Sequence, residues 1–219
     1  MAVMRRPLAA LTLTIAAVAA GPAIAGAMLS EVGRTGPDAV ASCPARPCNA
    51  FSRTTGFQAK IGDRRGTHVV PRDGRIVAWT ITLGKPGKNQ QAFFERKLGG
   101  AASAQISVLD PRRKLRYRAV AQGEPQKLEP YFGTTVQFPL DRSIPVKKGQ
   151  VVALTTNTWA PALAVGLGAD TSWRAARGRG KCEDTATPTA QTMPAQLAQY
   201  YCLYRTARLT YSYTLVSTP

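Results

Sequence analysis

Ile144-Pro145-Val146-Lys147-Lys148-Gly149-Gln150-Val151-Val152-Ala153-Leu154-Thr155-Thr156-Asn157-Thr158-Trp159 reads as a strand, a tight turn and a second strand. Proline cannot donate to a ladder and so stands at a strand end or edge. Gly149 supplies the backbone freedom of a turn, and Val151 to Thr158 is a β-branched run. A run with so little polar alternation needs packed structure on both sides. It is scaffold, and nothing in it is obviously reactive.

The same pattern recurs outward from this stretch. In Arg75 to Gly84, Val77, Trp79, Ile81 and Leu83 fall on one face and Ala78, Thr80 and Thr82 on the other, after a turn signal at Pro71-Arg72-Asp73-Gly74. Ala104, Ile106 and Val108 form an inward row before Asp110-Pro111. Leu115, Tyr117 and Ala119 alternate with Lys114, Arg116 and Arg118. Val136, Phe138 and Leu140 form a further row, and short strands are expected at 162–167 and 171–175. The chain closes on Leu209, Tyr211, Tyr213 and Leu215. Between Gly84 and Ser103 the spacing predicts one short helix, capped by Asn89, built from Gln90 to Lys97 and stopped by Gly99-Gly100. Phe93 and Phe94 in it either cover the core or form a ligand-facing aromatic pair. Eight to ten short antiparallel strands without a long helical pattern predict an all-β sandwich of jelly-roll type.

Residues 1–25 read as a secretory signal peptide. Arg5 and Arg6 precede an uncharged run from Leu8 to Ala20, followed by the small-x-small site Ala23-Ile24-Ala25. The run is shorter than the roughly 20 apolar residues that a spanning helix needs. No membrane span is expected after its removal, and the protein is expected outside the cell. Residues 26–55 then form an irregular lead-in, and residues 56–219 a single sandwich domain. The four cysteines fit an oxidising compartment, with Cys43 paired to Cys48 and Cys182 to Cys202 as the expected bridges. No C-x-x-C occurs and the one histidine, His68, is distant in sequence, so neither a metal nor another cofactor is expected.

Charge bounds the partners. Removing the two leader arginines from the 29 basic residues leaves 27 against 12 acids, a formal +15. Such a field draws polyanions, anionic wall polymers and acidic polysaccharides among them. Arg116 and Arg118 with Lys114 form one candidate row on a strand. Trp173, Arg174, Arg177 and Arg179 form a second basic segment. Tyr117 falls on the face opposite the first row, whereas single-strand nucleic-acid binders set aromatics beside their charges, so no specific nucleic acid is expected. No catalytic residue is assigned: any histidine-based arrangement must use His68, and no G-x-S-x-G, paired-carboxylate or phosphate-loop pattern is present.

Two resemblances bear on function. Tyr131-Phe132-Gly133-Thr134-Thr135-Val136-Gln137 resembles the Tyr-Phe-Lys strand of jelly-roll polysaccharide lyases, but Gly133 stands at the lysine and the family's Tyr-Asn-Gln and Gln-Ile-His motifs do not follow. Gly74 to Trp79, Ser103 to Leu109, Val136 to Leu140, and Val146 to Gly149 followed by Val151 to Leu154 together resemble small secreted β-sandwich proteins of high-GC Gram-positive bacteria that have no assigned function. That resemblance implies export and a sandwich, and it transfers no site residue. The leading expectation is a secreted, non-enzymatic sandwich that binds an anionic or carbohydrate polymer at the cell surface. A lyase acting on acidic polysaccharide and a purely structural exported domain are the alternatives.

Overall fold

The computed structural model describes residues 27–34 and 39–217. The leader expected over 1–25 lies outside the described residues. In the first half of the chain the strands are β1 (Met28–Val32), β2 (Phe51–Ser52), β3 (Thr55–Ile61), β4 (Arg64–Arg65), β5 (Gly74–Thr82), β6 (Ser103–Arg112), β7 (Arg116–Gln122) and β8 (Gln126–Lys127). In the second half they are β9 (Thr135–Val146), β10 (Val151–Thr155), β11 (Trp159–Ala160), β12 (Leu163–Val165), β13 (Ser172–Ala175), β14 (Leu197–Gln199), β15 (Cys202–Arg205), β16 (Ala207–Leu209) and β17 (Tyr211–Ser217). One helix, α1 (Lys88–Leu98), lies between β5 and β6.

The turn at Lys147–Gln150 is a corner between sheets. β9 is the last strand of a four-stranded sheet, β1-β17-β5-β9, whereas β10 lies inside a second sheet, β14-β7-β6-β10-β3-β13-β15, with β4 added on β3 and β8 on β6. Eight strands take jelly-roll order, β1-β17-β5-β9 packed on β3-β10-β6-β7. Apart from the β6–β7 hairpin, every connection among those eight crosses from one sheet to the other. The core between the sheets holds Trp79, Ile81, Tyr213 and Leu215 from one side and Ile106, Val152 and Leu154 from the other.

All five residues of β10 are buried. Val152 and Leu154 point into the core between the sheets, while Val151 and Ala153 belong to a second cluster on the other face of their sheet. A strand covered on both faces has no reason to alternate with polar residues, which accounts for the unbroken apolar run Val151–Leu154. The second cluster exists because the large sheet curls on itself. Its outermost strands, β14 and β15, are separated in sequence only by Tyr200 and Tyr201. Tyr200 N–H donates to the Leu115 carbonyl at 2.8 Å and Tyr201 N–H to the Arg177 carbonyl at 3.1 Å, so the two edges meet and the sheet becomes a nearly closed barrel. Its interior packs Phe57, Leu109, Ala119, Val151, Ala153, Ala176 and Tyr200.

Four expectations change in detail. Within 26–55, expected as an irregular lead-in, the described residues are tied into the fold: β1 pairs with β17, β2 pairs with β11, and Cys43 lies in the core. A register shift between Ile76 and Ala78 replaces Val77 with Ile76 in the inward row of β5. Asn89 sits inside α1, because the cap is Gly87, whose N–H is taken back by Gln90 Oε1 at 2.8 Å. The aromatic pair is divided, with Phe94 buried against Trp159 at 4.9 Å between ring centroids and Phe93 half in solvent. Both expected disulfides, Cys43–Cys48 and Cys182–Cys202, are formed. Among the described residues no helix is long and apolar enough to cross a membrane.

Candidate functional site at the mouth of the curled sheet

The barrel is closed at one end and open at the other. At the closed end its inward row is hydroxylic: Thr55 Oγ1 lies 2.9 Å from Thr155 Oγ1, which lies 2.7 Å from Ser107 Oγ. Gln191, from the loop before β14, plugs this end. Its N–H donates to Thr55 Oγ1 at 2.8 Å, its Nε2 to the carbonyls of Tyr117 and Gln196, and its Oε1 accepts the Tyr200 hydroxyl at 2.5 Å. Burial pushes the Tyr200 hydroxyl pKa well above the ordinary phenol value, so it remains a donor at any working pH. Above the plug Phe57, Tyr117 and Tyr200 form a three-way aromatic contact with centroids 4.9–5.3 Å apart.

The open end is a cleft of about 260 Å³. Its walls mix the apolar Phe57, Val69, Val151 and Leu203 with the polar Gln58, His68, Tyr117 and Ser172, and it is also bordered by Lys60, Arg65 and Arg174. Strand register explains how these cations meet. Lys60 pairs with Arg65 on β4 and with Ser172 on β13, and Ser172 pairs in turn with Arg205 on β15, so Lys60, Arg65 and Arg205 share one cross-strand row. The next row brings Phe57, Arg174 and Leu203 together. Simple alternation would turn Lys60 away from Phe57. The register shift between Ser172 and Trp173 leaves Ala59 as the extra residue and returns Lys60 to the concave face.

Arg174 is held in place by the closure itself. Its Nη1 donates to the Tyr200 and Tyr201 carbonyls at 3.1 Å each, and its remaining N–H groups have no partner among the described residues. Tyr117, half-buried beside it, has its hydroxyl pKa raised by burial, with the Arg174 charge acting in the opposite sense. Among the described residues no carboxylate forms an ion pair with Lys60, Arg65 or Arg174.

The residues picked from sequence are dispersed. Lys114 is not on the strand: it and Leu115 are left-handed, at φ 60° and 57°, in the β6–β7 turn. Arg116 and Arg118 are exposed on the outer face of β7, beside the Arg112–Asp110 ion pair at 2.6 Å, and Tyr117 faces inward as expected. Trp173 is core, stacked on Tyr204 at 4.4 Å. Arg177 is buried and donates to the Tyr204 hydroxyl at 2.6 Å and to the Ser52 carbonyl at 3.2 Å. Arg179 is exposed, 5.9 Å from the Tyr201 ring centre. Of the seven, only Arg174 lines the cleft. Lys60, Arg65 and Arg205 were not anticipated. The two arginines of Gly62-Asp63-Arg64-Arg65 were legible as a turn charge, but nothing in the sequence signals the bulge at Ala59.

His68 is fully buried and its ring packs 4.3 Å from that of Tyr211. Nε2 lies 3.0 Å from the Tyr211 carbonyl, which can only accept, so Nε2 carries the proton and Nδ1 accepts from the Thr67 hydroxyl at 3.1 Å. Burial lowers its pKa to about 4, against a weaker upward pull from the Tyr211 carbonyl and a minor downward push from Arg208. Tyr131 packs edge-on against Phe138 at 5.3 Å and does not border the cleft. Among the described residues no cluster of three or more His, Cys, Asp or Glu is placed to hold a metal. No protein-family model, curated protein or solved structure matches this chain.

Proposed function

We propose that the chain is an exported, non-enzymatic binding protein that attaches to an anionic or carbohydrate polymer outside the cell through the mouth of its curled sheet. The observation that carries this reading is the convergence of Lys60, Arg65 and Arg174 around one cleft, with no paired carboxylate among the described residues. Three like charges held close together on a rigid sheet repel one another and gain from a shared counter-charge. Export is supported by the leader sequence and by two formed disulfides. The lyase alternative asks His68 and Tyr131 to join arginines in one cleft. His68 borders the cleft, but it is buried with both ring nitrogens occupied, and Tyr131 lies elsewhere.

The test is retention of the oxidised protein on cell-wall material and on acidic and neutral polysaccharides at low and physiological salt, with product release measured in the same tubes. Retention of an acidic polymer at physiological salt is expected, with at least a tenfold loss in the Lys60→Gln/Arg65→Gln variant. Binding that disappears at physiological salt and is equal in both proteins would reduce the charge to a diffuse field, since such contacts fall steeply with salt. The structural-domain reading would then stand. Unsaturated sugar products would move the protein to the lyases.

A further inference from the structure

We infer that the mouth is an end-group site. It admits one monosaccharide-sized unit bearing a single carboxylate or phosphate, inserted tip first, and does not track a length of polymer. This rests on the binding reading above and makes it specific.

The geometry limits the ligand in three ways. First, the cleft is blind. The plug formed by Gln191, Thr55, Thr155 and Ser107 and the Phe57–Tyr117–Tyr200 contact fill the barrel beneath it, so a chain cannot thread through. Second, about 260 Å³ lies just under the roughly 300 Å³ at which drug-sized sites begin, room for one sugar unit and little more. Third, Lys60, Arg65 and Arg174 border the same cleft as Phe57, Val69 and Leu203, so the anionic substituent meets the cations while the C–H faces of the unit meet the apolar side chains.

The exposed arginines of β7 do not compete for this role. Arg116 and Arg118 face outward, on the side of the sheet away from Tyr117, and do not line the cleft. They supply a general field that concentrates anions near the protein, and that field does not depend on the shape of the ligand.

Arg174 is unsuitable for a test because it also holds the Tyr200–Tyr201 closure. Lys60 and Arg65 make no side-chain hydrogen bond among the described residues, so Lys60→Gln/Arg65→Gln alters the rim without removing a structural contact, and an unchanged thermal transition verifies this. Glucuronate, glucose 1-phosphate, glucose and inorganic phosphate are titrated against the protein at physiological salt and as competitors of the retained polymer. The two charged sugars separate a carboxylate from a phosphate preference. At least one is expected to bind and to displace polymer, with glucose and inorganic phosphate each at least tenfold weaker. The double variant should lose at least tenfold, and Arg116→Gln/Arg118→Gln less than threefold. Polymer that is retained but not displaced by any monomer would overturn the end-group inference and leave the binding reading intact. So would inorganic phosphate matching the sugar phosphate, or equal binding by the double variant. Failure of polymer and monomers alike would remove the binding reading itself.

Discussion

Acidification should unfold this protein partly through one residue. His68 is neutral in the folded state, donating from Nε2 to the Tyr211 carbonyl, and its folded pKa is about 4 against an ordinary 6.5. The sign follows directly. Between those values the unfolded chain takes up a proton that the folded chain refuses, so stability is fully present above pH 6.5 and declines as pH falls toward 4. Below about pH 4 the folded state binds the proton too, and the loss from this residue stops. At about 1.4 kcal/mol per pH unit, the whole interval is worth about 3 kcal/mol. That is a large share of the 5–15 kcal/mol typical of a domain. Urea unfolding at pH 7, 5.5 and 4.5, for the native protein and for His68→Gln, measures it. Glutamine keeps an N–H for the Tyr211 carbonyl but cannot take the proton. The variant is expected to be weaker at pH 7 by about 1–3 kcal/mol, from lost packing and the vacated Thr67 contact. Its pH dependence over this range should be shallower by about 2 kcal/mol, so the two curves converge on acidification. Parallel curves would refute the assignment of a neutral buried imidazole.

Two further outcomes separate structural from binding residues. Arg177→Met removes a buried guanidinium from the Ser52 carbonyl and the Tyr204 hydroxyl, and should cost about 2–3 kcal/mol in chemical unfolding while leaving polymer retention at low temperature within twofold. A loss of retention without a loss of stability would return Arg177 to the binding surface. Cys182→Ser/Cys202→Ser releases a bridge spanning 20 residues, worth about 3 kcal/mol by loop entropy. Because Cys202 opens β15, the urea midpoint should fall and retention with it, and retention unchanged despite the lower midpoint would show that the mouth does not need this anchor.

The fold was legible because apolar alternation is a local signal. The inward rows of β6, β9 and β17 follow from period two, and the unalternated Val151–Leu154 run correctly demanded cover on both faces. The site was not legible, because it depends on bulges and on closure. Lys60 shares a face with Phe57 only through the register shift opposite Ser172. Lys114 leaves its strand because two left-handed residues make the hairpin turn. Trp173 and Arg177 looked like an exposed basic segment by composition, yet Trp173 packs against Phe51 and Tyr204, and Arg177 is drawn inside by an acceptor contributed 125 residues away. A charge count registers a cation's presence and carries no information about its partner.

The placement of the mouth follows from how the fold protects its edges. In the eight-strand roll, β3 and β7 are the exposed edges of one sheet, and unpaired edges invite association with other chains. The segment between β10 and β17 covers both, setting β13 on β3 and β14 on β7, and Tyr200-Tyr201 joins the two covers. Lys60 and Arg65 therefore belong to the roll, or to the short strand beside it, and Arg174 to the covering segment. The three meet only when the cover is docked. A ligand that engages all three bridges the joint, binding the closed form and not the opened one. By mass action it then stabilises the fold by about 2.7 kcal/mol at a hundred times its Kd. Protection of the Tyr200 and Tyr201 amides from hydrogen exchange should rise by the corresponding factor of about one hundred.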